Sequence, residues 1–122
     1  MLQRKAYEHL VKWKNTTDKK ALLITGARQI GKTYIIRKFA EENYSNFIEI
    51  NFITNIFNGD LNAETILINL TAYTQKPLVK GDTLIFFDEI QECPSARTAI
   101  KFLVDDGQFD YIESGSLLGV RY

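Results

Sequence analysis

Ala21-Leu22-Leu23-Ile24-Thr25-Gly26-Ala27-Arg28-Gln29-Ile30-Gly31-Lys32-Thr33 is the stretch on which the reading of the whole chain turns. Residues 21–25 form a short, unbroken apolar run, which predicts a strand buried on both faces. From Gly26 the chain then matches G-x-x-x-x-G-K-[ST] at every fixed position. The match lies between that strand and a predicted helix over 32–42, the setting in which such a loop cradles phosphates. Gly26 and Gly31 let the backbone curl so that its N–H groups point at phosphate oxygens without a Cβ in the way. The helix turns the positive end of its dipole toward the same anion. Lys32 supplies an ammonium for the β- and γ-phosphates, and Thr33 a hydroxyl for a magnesium ion. The expected binding footprint is Gly26, Ala27, Arg28, Gln29, Ile30, Gly31, Lys32, Thr33 and Tyr34, with Arg28 and Gln29 facing solvent.

Working outward, helices and strands alternate. A helix over 2–14 carries Tyr7, Leu10 and Val11 inward, with Leu2 or Trp13 beside them. The 32–42 helix buries Ile35, Ile36, Phe39 and Ala40. A strand follows at 47–51, then a helix near 62–73 with Ile66, Leu70 and Tyr73 inward. Lys80-Gly81-Asp82 turns into a second fully apolar strand at 83–88. Pro94 and Ser95 open a helix that buries Ala99, Ile100 and Leu103 and ends at the C-cap glycine Gly107. A last strand covers 109–114. Strands alternating with helices, two of them apolar throughout, predict an α/β three-layer sandwich around a parallel sheet.

The second chemical signal is Thr83-Leu84-Ile85-Phe86-Phe87-Asp88-Glu89, an apolar strand ending in two carboxylates about fifty-five residues after the phosphate loop. Asp88 is placed to hold the magnesium shell opposite Thr33. Glu89 projects past the strand to polarise an attacking water. The pair separates reaction classes. Small-molecule kinases with this loop usually lack the extra Glu, and GTPases want Asp-x-x-Gly where this chain has Asp88-Glu89-Ile90-Gln91. The expected ligands are therefore ATP and Mg2+, and the expected reaction is ATP hydrolysis.

A Glu directly after the strand Asp marks the branch of phosphate-loop proteins with an extra strand between the loop strand and the acidic strand, so the predicted order is 1-4-3-2. Ser114, with Ser116 as second choice, then ends the central strand as a polar sensor of the γ-phosphate. Asn51 is a candidate to restrain Glu89. Arg97 and Arg121 are arginine-finger candidates by residue type alone. Cys93 has no basic neighbour to lower its pKa and reads as structural.

ALLITGARQIGKT, DTLIFFDEIQECP and FDYIESGSLLG together resemble the AAA-like P-loop ATPases of archaea and bacteria. Those proteins pair the ATPase core with a C-terminal domain of unknown function, generally described as restriction-nuclease-like. The resemblance covers almost the whole chain. It implies an AAA-like P-loop NTPase fold, ATP as ligand, and Lys32, Thr33, Asp88, Glu89 and Ser114 as the matching site positions. Members of that family are longer and continue into a fifth strand and a lid, so the chain is expected to represent the N-terminal core alone. Without strand 5 the 21–25 strand becomes a sheet edge, which invites a homo-oligomer or partner chain. The alternative to an ATPase is a nucleotide-dependent switch or interaction fragment without useful turnover.

Bulk properties set the remaining bounds. The 122 residues are 45% hydrophobic and 12% aromatic, enough for one folded domain. One cysteine and one histidine cannot build a disulfide or a His/Cys metal site. No apolar stretch approaches a membrane span, and a cytoplasmic location is expected. The net charge of zero hides an asymmetry: residues 1–38 hold ten Lys/Arg against two Asp/Glu. Such a basic third can attract phosphates or nucleic acid, or can simply be a solvated face.

Overall fold

The computed structural model describes residues 2–17, 19–26, 30–50, 62–88 and 94–116. Their order is α1 (Leu2–Lys14), β1 (Leu22–Gly26), α2 (Ile30–Asn43), β2 (Asn46–Ile50), α3 (Ala63–Thr74), β3 (Thr83–Phe87), α4 (Pro94–Asp106) and β4 (Asp110–Ser116). The four strands form one parallel sheet in the order β1-β4-β3-β2, the order expected from the Asp-Glu pair.

The register makes the layers legible. Side chains alternate across a strand. Leu84, Phe86 and Ile112 therefore face one side with Leu10, Ile36, Phe39 and Ala40 of α1 and α2. Ile85, Phe87 and Tyr111 face the other with Ile66, Leu70, Ala99 and Leu103 of α3 and α4. All five residues of β3 are buried, because it lies inside the sheet with helices on both faces.

Local signals place the helix ends. Asn62 caps α3 through its side-chain oxygen, which accepts from the Thr65 N–H at 2.8 Å. Gly107 follows α4 at φ +74°, and its N–H reaches the Leu103 carbonyl at 3.2 Å. Helix α2 begins at Ile30, two residues before the predicted start.

Two packing expectations are corrected. Tyr73 is 58% exposed, because the buried stripe of α3 is centred on Ile66 and Leu70 and the ring sits at its margin in the last turn. The loop strand is not buried on both faces either. β1 is an edge strand, and Leu23 is 39% exposed on the flank that α3 and α4 leave open. Where the chain enters β1 and β4, a cavity of about 350 Å³ is lined by Trp13, Lys19, Phe109 and Tyr111. The Tyr111 hydroxyl is buried there without a protein hydrogen-bond partner.

α1 is bound to α2 by aromatic packing and polar ties. Phe39 meets Tyr7 and Tyr44 edge-on, at ring separations of 5.9 and 5.7 Å, and Trp13 at 6.5 Å. Tyr7 donates to the Glu42 carboxylate, and Asn43 donates to the Tyr7 hydroxyl at 3.0 Å. Tyr44 donates to Asp110 at 2.5 Å, and Lys19 pairs with the same carboxylate at 3.3 Å.

Candidate functional site

The site forms where β1, β4 and β3 end, at the carboxyl edge of the sheet, which is where open α/β sheets bind ligands. β1 ends at Gly26, paired with Ser116 of β4, and α2 starts again at Ile30. Gly31, Lys32 and Thr33 lie in the first turn of that helix. No acid occupies that turn, so nothing within it competes with an anionic ligand for the helix dipole. The half-buried Thr33 and the exposed Tyr34 follow.

Asp88 comes directly after β3, and its N–H donates to the Ile50 carbonyl at 2.8 Å, carrying the ladder one residue past the strand. Counting from Leu84 and Phe86, its side chain falls on the α2 face. Ser114, two residues beyond Ile112 in β4, falls on the same face and is fully buried. Its hydroxyl donates to Asp88 Oδ1 at 2.6 Å. β4 lies between β1 and β3, so this bond stands between the loop strand and the acidic strand.

That geometry gives Ser114 a partner on the protein itself. The hydroxyl is directed at the carboxylate itself, where it fixes the rotamer and one lone pair of Asp88. The hydroxyl–carboxylate pair is of the charge-assisted kind, among the stronger hydrogen bonds.

Arg37, one helical turn after Thr33, was not singled out from sequence. Its Nε and an Nη donate to the two oxygens of Glu49 on β2, each at 2.8 Å. This fork ties α2 to the sheet edge beyond β3. The Arg37 pKa is raised, first by that hydrogen bond and then by the Glu49 charge, with a smaller contribution from Asp88. The i+4 spacing from Thr33 was visible in the sequence, but the partner was not.

Several expected positions lie outside the described residues: Ala27, Arg28, Gln29, Asn51, Glu89, Cys93 and Arg121. Among the described residues no cluster of three or more His, Cys, Asp or Glu could hold a metal ion. Magnesium in phosphate-transfer sites does not need one, since it keeps several waters and takes only one or two protein ligands besides the phosphates. The donors present, the Thr33 hydroxyl and the fixed Asp88 carboxylate, are the hard oxygens that suit it. No helix among the described residues is long and apolar enough to cross a membrane.

No curated protein resembles the chain closely enough to count as a match. The model of a family described as "AAA domain" matches residues 18–121, from just before β1 to just past β4. That span takes in the loop, the Asp88 strand and the Ser114 strand, and with them the chain belongs to this AAA-domain family, whose members are nucleotide-binding modules.

Proposed function

We propose that the protein is an ATPase core that binds Mg-ATP and transfers the γ-phosphoryl group to water. The observation that carries this reading is the Ser114–Asp88 hydrogen bond at the carboxyl edge of the sheet, between the loop strand and the acidic strand. A carboxylate held there by a buried donor stands where this reading puts the magnesium shell.

In this reading the loop amides and the start of α2 bind the phosphates, and Lys32 meets the β- and γ-phosphates. Thr33 and Asp88 hold the magnesium ion. When bound, the ion neutralises charge that develops on the phosphate oxygens. Ser114 keeps Asp88 in one rotamer. Glu89 accepts the proton of the attacking water as its oxygen bonds to phosphorus and the bond to the β-phosphate oxygen breaks, leaving ADP and phosphate.

Three proteins test the proposal: wild type, Lys32→Ala and Glu89→Gln. Calorimetry is expected to show ATP binding by wild type and Glu89→Gln, and its loss in Lys32→Ala. Phosphate release is expected to fall on the order of a hundredfold in Glu89→Gln. Equal release by wild type and Glu89→Gln at matched occupancy would remove the hydrolytic part and leave a nucleotide-dependent switch. Full ATP affinity in Lys32→Ala would remove both.

A further inference from the structure

We propose that the outer face of α1, with the adjoining turn of α2, is a docking surface for single-stranded nucleic acid. The α1 part of that surface precedes the family match at residue 18, whereas Tyr34 and Lys38 of α2 lie within it.

The observation is a segregation of charge that the folded chain does not neutralise. Arg4, Lys5 and Lys12 are exposed on α1, and at 3.6 residues per turn they lie within about 100° of its circumference. Exposed Lys38 of α2 and Arg4 both line the groove between the helices. No ion pair joins any of these four to an acid among the described residues, whereas Lys19 and Arg37 elsewhere in the basic third are each paired. Three acids share the region. Glu42 accepts from Tyr7, Glu8 stands between Arg4 and Lys12 at helical i±4 spacing, and exposed Glu41 lies three residues after Lys38 on α2. Four cations against three acids leave an excess of one.

Charge alone does not choose a polyanion; two further features do. Tyr34, 55% exposed, lines the same groove as Arg4 and Lys38, an aromatic platform beside cations of the kind on which unpaired bases stack. The apolar residues of α1 are committed inward: Leu10 is buried and Val11 and Trp13 are half-buried. Among the described residues the outer face therefore has no large apolar side chain to insert into a bilayer, which an interfacial membrane helix requires. Phosphates engage Arg4, Lys5, Lys12 and Lys38, and a base stacks on Tyr34.

The test is fluorescence anisotropy of a labelled single-stranded DNA oligonucleotide across a salt series, without ATP. Four phosphate contacts give a slope of log K against log salt of about −3. Lys5→Glu/Lys12→Glu is expected to weaken binding at least about tenfold at low salt and to flatten the slope by one to two, on the order of one per cation. Lys5→Gln/Lys12→Gln should give an intermediate loss. These substitutions are on the exposed face, and circular dichroism checks that the helix content is kept. Tyr34→Ala should cost roughly tenfold for the single strand and little for a duplex. Lys32→Ala should leave oligonucleotide affinity near wild type, so the outcome is independent of the ATPase reading. No measurable binding, a salt-independent affinity, or unchanged binding by the Glu double variant would overturn the proposal. Equal affinity for polyglutamate or for phosphatidylserine vesicles, insensitive to Tyr34→Ala, would overturn it as well.

Discussion

The Ser114 hydroxyl donates to Asp88 Oδ1 at 2.6 Å, joining two residues that lie 26 apart in sequence, one in β4 and the other directly after the neighbouring parallel strand β3. Ser114→Ala removes a donor from a carboxylate and should cost about 1.5–3 kcal/mol of stability. If the bond also positions Asp88, the magnesium concentration needed for half-maximal phosphate release will rise severalfold, and Ser114→Thr will restore part of it. A stability loss without a change in magnesium dependence would assign the bond to folding alone.

Phe39 is fully buried at the centre of the aromatic group that joins α1 to α2. Phe39→Ala is expected to cost about 3–5 kcal/mol, measured by urea denaturation. α1 should loosen with it, seen as faster amide exchange over residues 4–14. Exchange unchanged there would mean that the polar ties from Tyr7 and Asn43 hold the helix unaided.

Burial, and then the hydrogen bond to Asp110, push the Tyr44 phenol well above its ordinary value. The folded state thus favours the protonated phenol. Its contribution is fully present below the unfolded pKa of about 10 and is lost as pH rises beyond it toward the folded value. Stability should decline from about pH 10 upward, and Tyr44→Phe should flatten that decline while lowering stability at neutral pH by about 1–3 kcal/mol. A decline of the same slope in Tyr44→Phe would count against this linkage.

Tyr111 makes the opposite case. Its hydroxyl is buried without a protein partner, while its ring stacks on Phe87 at 6.3 Å. Tyr111→Phe keeps the stacking and removes the unsatisfied group, so it should be neutral or stabilising by up to about 1 kcal/mol. A loss above about 1 kcal/mol in thermal or urea melts would show that the hydroxyl is satisfied in solution.

Among the described residues no strand pairs with the outer side of β1, and exposed Leu23 lies beside it. Open edges pair with other strands. If a second copy uses this one, Leu23→Lys should shift sedimentation toward monomer at a concentration where wild type associates. Wild type that stays monomeric throughout would remove the edge as a self-association surface.

Much of this protein was legible in one dimension, because the controlling forces act over short stretches of chain. Helical periodicity marked α1 over residues 2–14, and the apolar run marked β3. Residues 26–33 read as a phosphate loop because anion binding needs glycine freedom and a lysine at fixed spacing. Even the sheet order followed from the Asp88-Glu89 pair.

What lay beyond the sequence depends on which neighbours the fold supplies. Tyr73 has the spacing of a core residue, yet exposure at a helix end is set by where the supporting layer stops. Leu23 reads as buried, and only the edge position of β1 exposes it. The fork from Arg37 to Glu49, and the bond from Tyr44 to Asp110 across 66 residues, join groups with no local signal. Ser114 shows both sides of this. The sequence by itself determined a polar residue at the end of the central strand. Tertiary structure decided what it touches, because parallel registry set its hydroxyl beside Asp88, and a buried hydroxyl bonds the acceptor that packing puts within reach.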